Sequence, residues 1–187
     1  MSVNSKEAIL AAARRAAQAH GYNGLNFRDL ATEVGIKAAS IYHYFPSKAD
    51  LGAAVARRYW EDTAAVLDAL STEADTPGAA LRRYPETFRR ALTLDNRICL
   101  ASFMAMEYDD LPDTVKREVQ TFTEVNVGWL SQALTAASIV SAEQAAPRAH
   151  AIFAAVAGAQ LMARGRGDVA LYDALIDNYR AAGLLPR

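Results

Sequence analysis

Phe27-Arg-Asp-Leu-Ala-Thr-Glu-Val-Gly-Ile-Lys-Ala-Ala-Ser-Ile-Tyr-His-Tyr-Phe-Pro-Ser-Lys48 is the stretch whose reading decides the fold. Asn26 precedes it at an N-cap position, its side-chain oxygen placed to accept from the amide of Asp29. Leu30, Ala31 and Val34 recur at helical spacing, and Gly35 permits the left-handed exit that stops a helix. A second short helix starts at Ala38, with Ile41 and Phe45 on one face and Lys37, Ala39, Ser40, Tyr42, His43 and Tyr44 on the others. Pro46 cannot continue the hydrogen-bond ladder, and Ser47 with Asp50 three residues on forms a capping box for the next helix. Helix, glycine turn, helix is a helix-turn-helix.

The resemblance to a family becomes specific here. Gly21-Tyr22, Leu30-Ala31, Val34-Gly35-Ile36, Ile41-Tyr42-His43-Tyr44-Phe45 and Ser47-Lys48-Ala49-Asp50-Leu51, in that order, resemble the N-terminal domain of the TetR family of bacterial repressors. The resemblance covers roughly the first third of the chain. It implies an all-α dimer of about nine helices: an N-terminal three-helix helix-turn-helix domain over residues 1–50, and a larger helical ligand-binding and dimerisation domain over residues 51–187. The start of the reading helix departs from the family pattern. Lys37-Ala38-Ala39-Ser40 stands where many relatives have Lys-Gly-Thr or Lys-Gly-Ser, which changes the bases that can be read. Asn26 replaces the usual Thr or Ser, one good cap for another.

Composition agrees with a small cytoplasmic regulator. The 187 residues fit one large or two small domains. No run of about 18 apolar residues suggests a membrane span, and the opening Met1 to Glu7 has no apolar signal core. Cys99 is the only cysteine, so no disulfide can close within the chain. Charge is unevenly divided: residues 1–60 carry a net +4 and residues 61–187 a net −5. A basic small part beside an acidic large part suits a DNA reader joined to a module that does not touch DNA.

Around the motif, a first helix is expected from about Ser5, its cap, to His20, with Ile9, Ala13 and Ala16 closing a core against Leu30, Ile41 and Phe45. The helix begun at Ser47 can run to about Leu70, a reach of roughly 35 Å that links the reader to the rest. Further helices are expected over Pro77–Leu92 and Asp95–Asp109. A third, opened by Pro112, carries the stripe Val115, Val119, Phe122, Asn126, Trp129 and Ala133. The last two helices run from about Ser141 to Arg164 and from the cap Asp168 to Ala182.

Arg28 and Lys48 sit at helix starts, where phosphates bind, and Lys37 in the turn can meet phosphate or a guanine edge. Each is an ordinary solvated cation otherwise. Ser40 can bond base edges, and Ala38 and Ala39 offer methyl contacts suited to thymine. Tyr42 and Tyr44 can reach phosphate, sugar or base, packing being the competing role and more so for Tyr42. His43 points outward toward the DNA backbone. For the effector, the candidates are Phe103, Met106, Glu107, Phe122, Asn126, Trp129, Phe153 and Gln160, most of which would otherwise be core. Asn126 interrupts an apolar stripe and needs a partner, be it a side chain, water or ligand. The family pairs copies through its last two helices, here offering Ala149, Phe153, Ala154, Ala157, Gly158, Leu161, Leu175, Ile176 and Tyr179.

The resemblance therefore implies a ligand-responsive repressor that grips palindromic operator DNA as a homodimer and is released by a small-molecule effector. Two alternatives stand beside it. A small helical enzyme or a ligand-binding protein that ignores DNA would use His150, Glu107 or Cys99, although metal-ligand spacing, a nucleophile elbow and a phosphate-binding glycine loop are all missing. A thiol-based electrophile sensor would use Cys99. Ile98-Cys99-Leu100, Glu107, Leu111-Pro112 and Trp129 to Leu134 resemble a TetR subset that includes regulators of electrophile-detoxifying enzymes. No metal or cofactor is expected.

Overall fold

Capping chemistry sets the helix boundaries of the N-terminal segment. The computed structural model describes residues 3–187, and α1 spans Val3–His20. Ser5 thus lies inside α1 and does not cap it; Met1 and Ser2, part of the opening read above for a signal core, lie outside the described residues. Asn26 Oδ1 accepts from the amides of Arg28 (2.8 Å) and Asp29 (3.4 Å) to start α2, Phe27–Val34. Gly35 ends it at φ 73°, and Ile36 N–H returns to the Ala31 carbonyl at 2.9 Å, closing the exit. α3 is Ala38–Tyr44, and α4, Lys48–Glu73, starts where Ser47 Oγ accepts from Asp50 N (3.2 Å) and donates to Asp50 Oδ2 (2.7 Å).

The chain divides into two compact units. The first holds residues 1–61 and 100–122. Its core joins Ile9, Ala13, Leu30, Ile41 and Phe45, all at 3% exposure or less. Ala12 and Ala17 fill the place expected for Ala16, which is only half-buried because the buried stripe of α1 turns past it. The distant segment supplies α7, Leu100–Met106, a 3-10 turn at Tyr108–Asp110 and the start of α8, Asp113–Ala136. There Glu118 takes Arg57 and the Trp60 indole N–H (2.8 Å).

The second unit holds residues 62–99 and 123–187. One helix was expected over Pro77–Leu92. Two form instead, α5 (Pro77–Arg83) and α6 (Glu86–Thr93), because Pro85 has no N–H for the ladder. The buried Pro85 carbonyl accepts the Tyr172 hydroxyl at 2.7 Å, beside the amides of Phe88 and Arg89 at 3.1 Å each. This break makes ten α-helical segments among the described residues where about nine were expected. The helix expected over Asp95–Asp109 shrinks to α7, since Asp95 and Asn96 take left-handed backbone (φ 55° and 52°). α4 outlasts its expected end at Leu70 and stops at Glu73; Thr76 then caps α5, its Oγ1 3.1 Å from Ala79 N.

α9 spans Ala142–Arg166, ending at left-handed Gly167, and Asp168 caps α10, Val169–Ala181. α9 packs on α10 and α6. The stripe Val115, Val119, Phe122, Asn126, Trp129 and Ala133 is buried along α8 throughout, as its spacing requires. Ala149 and Ile176, expected at a pairing seam, are instead core residues (0% and 3% exposed), since they face the helices of their own unit. The fold is all-α, and no helix among the described residues is long and apolar enough to cross a membrane.

The Glu118 cluster makes stability depend on pH. Burial alone would raise its carboxyl, but the hydrogen bonds from Arg57 and Trp60 outweigh that and hold it below the ordinary carboxylate range. A depressed folded value means the contribution is fully present above that ordinary range, about pH 4–5, and is lost as pH falls below it through the lowered folded value. Urea midpoints measured from pH 7 down to pH 3 should fall less steeply for Glu118→Gln than for the unaltered chain.

Candidate nucleic-acid interface

A seven-residue helix is shorter than any that is stable alone in water, so α3 exists because Ile41 (0% exposed) and Phe45 (3%) anchor it. Anchoring one face leaves the rest outside. Lys37, Ala39, Tyr42 and His43 are exposed, and Ala38, Ser40 and Tyr44 are half-buried. The two tyrosines reverse their expected order: Tyr42 is the more open at 56%, its ring tilted against Phe27 at 4.6 Å, while Tyr44 is half-buried and edge-on to His43 at 5.4 Å. Phe27 supports the Tyr42 ring from below without covering it.

Three of the nine candidates share one open cleft of about 410 Å³, lined by Asn23, Leu25, Asn26, Phe27, Arg28, Tyr42 and Lys48. Arg28 is exposed in the first turn of α2. Lys48 does not trail in solvent: Nζ lies 4.7 Å over the Tyr22 ring and donates to the Asn23 carbonyl at 3.3 Å. Among the acidic groups of this part of the chain, Glu33 is paired with Arg15 at 2.7 Å and Asp50 accepts from the Ser47 hydroxyl, while Asp29 is exposed in the first turn of α2.

The eight effector candidates fall four to each unit. In the first, Glu107 binds the amides of Tyr22 and Asn23, Phe122 meets the Tyr59 ring at 5.3 Å, Met106 is 62% exposed and Phe103 is half-buried. In the second, the other four gather around Tyr84 and Phe88. Asn126 accepts from the Tyr84 hydroxyl (3.0 Å), Trp129 stacks on the Tyr84 ring (5.7 Å), Phe153 meets Phe88 edge-on (6.0 Å), and Gln160 donates to the Phe88 carbonyl (2.6 Å) while accepting from Cys99 N (2.9 Å). Tyr84, fully buried, was missed by sequence reasoning; a tyrosine beside the helix-breaking Pro85 was the available signal. Burial drives its phenol well above the ordinary range, so it stays a proton donor.

Two surface recesses flank Trp129. One of about 390 Å³ includes Ser71, Asp75, Thr76, Ala80 and Gln132; one of about 260 Å³ includes Leu67, Asp68, Glu124 and Gln132. Asn126, Phe153 and Gln160 line neither, being packed inside the unit. Trp129 Nε1 donates to Ser71 Oγ at 2.9 Å, fixing the indole between them. No metal-binding group of His, Cys and carboxylates occurs among the described residues.

α2, the Gly35 turn and an outward-facing α3 define a helix-turn-helix protein of the nucleic-acid-binding class. Comparison with known proteins gives the family. The family profile described as bacterial regulatory proteins, tetR family, matches residues 9–55. A TetR transcriptional regulator from Legionella pneumophila is 30% identical with a TM-score of 0.89, over 97% of this chain and 98% of that one. A TetR-family regulator from Agrobacterium tumefaciens is also 30% identical, with a TM-score of 0.87 over 94% and 95%. The HTH-type transcriptional repressor AcnR of Corynebacterium efficiens is 39% identical over 69 residues, 37% of this chain and 35% of its own length. The match thus spans about a third of that repressor. The chain belongs to the TetR family of transcriptional regulators.

Tyr84→Phe removes the hydroxyl that Asn126 uses at a fully buried position. It should cost about 1–3 kcal/mol of folding stability in urea denaturation, as deletion of one buried hydrogen-bond partner does.

Proposed function

We propose that this chain is a transcriptional repressor, two copies of which bind one palindromic operator and release it when a small-molecule effector binds. The carrying observation is α3, held by Ile41 and Phe45 with its remaining side chains turned outward beside the Arg28–Tyr42–Lys48 cleft. In this reading residues 1–50 read DNA and residues 51–187 bind effector and pair the copies. Lys37, Ala38, Ala39 and Ser40 meet base edges from the start of α3, with Lys37 shared between guanine and phosphate. Tyr42, His43, Tyr44, Arg28 and Lys48 position the duplex through its backbone. Pairing falls to the outward side of α9 and α10, where Ala154 and Gly158 are exposed small residues, Leu161 (49%) and Met162 (55%) expose apolar surface, and Leu175 and Tyr179 are half-buried. The recesses beside Trp129 are the places where a small effector finds an aromatic wall with a few polar groups. The protein then works in the cytoplasm, where its operator is.

A catalytic reading has less support. His150 is exposed and bonded to the Ala146 carbonyl, Glu107 is engaged with two amides, and Cys99 is 2% exposed. The same burial favours a packing role for Cys99 over electrophile sensing.

The test is fluorescence anisotropy with the duplex upstream of the protein's own gene, titrated with salt. A dimer reading two half-sites about one helical turn apart, or slightly more, should bind two-fold symmetric DNA with strong salt dependence. Tyr42→Ala with Lys48→Ala in a folded protein should weaken binding by about tenfold or more and flatten the salt slope. Equal affinity of altered and unaltered protein for every duplex tried would remove the proposal.

A further inference from the structure

Between α1 and α2 the chain makes a tight loop at residues 21–24, and its amides can be accounted for one by one. Gly21 N–H bonds to the Ala17 carbonyl (2.9 Å), Gly24 N–H to Gly21 (3.2 Å) and Leu25 N–H to Tyr22 (3.1 Å). The two amides left over, Tyr22 and Asn23, both point to one carboxylate 84 or 85 residues away. Glu107 Oε2 accepts from Tyr22 N at 2.6 Å and Oε1 from Asn23 N at 3.3 Å. The fit extends to the residue before them. Gly21 has φ 69°, and a Cβ there would lie 2.1 Å from Glu107 Oε2, so glycine is required both by the backbone and by the carboxylate.

The same loop holds Lys48. Its Nζ donates to the carbonyl of Asn23, the residue whose amide Glu107 fixes, and lies over the ring of Tyr22, the other residue so fixed. The Tyr22 ring is itself 8% exposed and seated on Gly52 of α4, where a Cβ would meet it at 2.7 Å. Asn23 and Lys48 then line the cleft together with Arg28 and Tyr42.

We propose that Glu107 is a positioning residue for DNA binding: through the Tyr22 and Asn23 amides it sets the loop on which Lys48 is aimed at phosphate. It rests on the DNA-binding reading above. It also moves Glu107 out of the effector set and gives it a partner in the reader. Charge and geometry both matter. A carboxylate offers an acceptor oxygen to each amide, whereas a carboxamide offers one oxygen and turns an NH₂ group toward the other N–H. Losing the bidentate grip lets the loop relax, and Lys48 loses the carbonyl and the ring that hold it in place before DNA arrives.

The experiment measures anisotropy of the full chain on the upstream duplex across a salt series, with Tm recorded for each variant. Glu107→Gln should weaken binding about tenfold and lower the slope of log K against log salt by about 0.9, the loss of one phosphate contact. In a Lys48→Met background the same substitution should add less than about twofold, because its target is already gone. Tyr22→Leu, which removes the ring under Lys48 while keeping apolar bulk over Gly52, should also lower the slope and be non-additive with Lys48→Met. It serves where Glu107→Gln does not fold. A folded variant that keeps the unaltered slope, or a loss that persists in full in the Lys48→Met background, overturns the proposal. Absence of salt-dependent binding by the unaltered protein would overturn the DNA-binding reading instead.

Discussion

The burial of Ile41 and Phe45 is the constraint on which the outward face of α3 depends. A segment of seven residues gains too few main-chain bonds to offset nucleation, and α3 has no side-chain cap at Lys37. Two buried side chains, each worth about 1.5–3 kcal/mol, supply what the segment lacks. They also set its rotation. With positions 41 and 45 committed inward, positions 37, 39, 42 and 43 face outward, and the group that could have been lost to packing, Tyr42, is propped by Phe27 at the surface instead. Substitution on the outward face therefore leaves in place the anchors that let the helix form.

A comparable economy governs the second unit, where polar groups serve to close main-chain gaps. At the Pro85 break the buried carbonyl takes the Tyr172 hydroxyl in addition to the Phe88 and Arg89 amides. The left-handed turn at Asp95 and Asn96 leaves the segment at Cys99 non-helical, and Gln160 binds the Cys99 amide with one end of its carboxamide and the Phe88 carbonyl with the other. Each bond spans more than 60 residues of sequence and lies inside the unit. A buried amide or carbonyl without such a partner costs about 1–3 kcal/mol. That penalty accounts for Gln160 in otherwise apolar surroundings, while Asn126 is partnered by the Tyr84 hydroxyl.

What could be read from the chain, and what could not, divides along sequence distance. Asn26, Gly35, Ser47 with Asp50, and Asp168 act within three or four residues of their targets, and their caps and turns were legible. The α8 stripe was legible too, because its period belongs to the helix itself. The Pro85 break was not anticipated, although proline chemistry announces it; the helix-favouring residues on either side masked it. Ser5 looked like a cap because serine often is one, yet α1 continues to Val3. The long-range partners had no local trace. Glu107 meeting Tyr22 and Asn23, Tyr84 meeting Asn126, and Gln160 meeting Cys99 follow from packing alone. Hence the DNA-facing candidates could be placed on their elements, whereas the effector candidates scattered between two units.

The division into units also bears on how far an N-terminal third can be treated as a separable reader. The first unit takes in residues 100–122 as well as residues 1–61, so α7 and the start of α8 belong with the helix-turn-helix. The chain passes from one unit to the other three times, twice within the unbroken helices α4 and α8 and once at Cys99–Leu100. No glycine- or proline-rich linker intervenes at any crossing, and at the third the Cys99 amide is held by Gln160. A family match ending at residue 55 marks the portion with a recognisable pattern, but the unit that must fold around it includes a segment nearly fifty residues further on. The basis is physical: the loop is bonded to Ala17 of α1, Tyr22 lies against Gly52 of α4, and from the distant segment Glu107 binds the loop amides while Val115 lies beside Gly52.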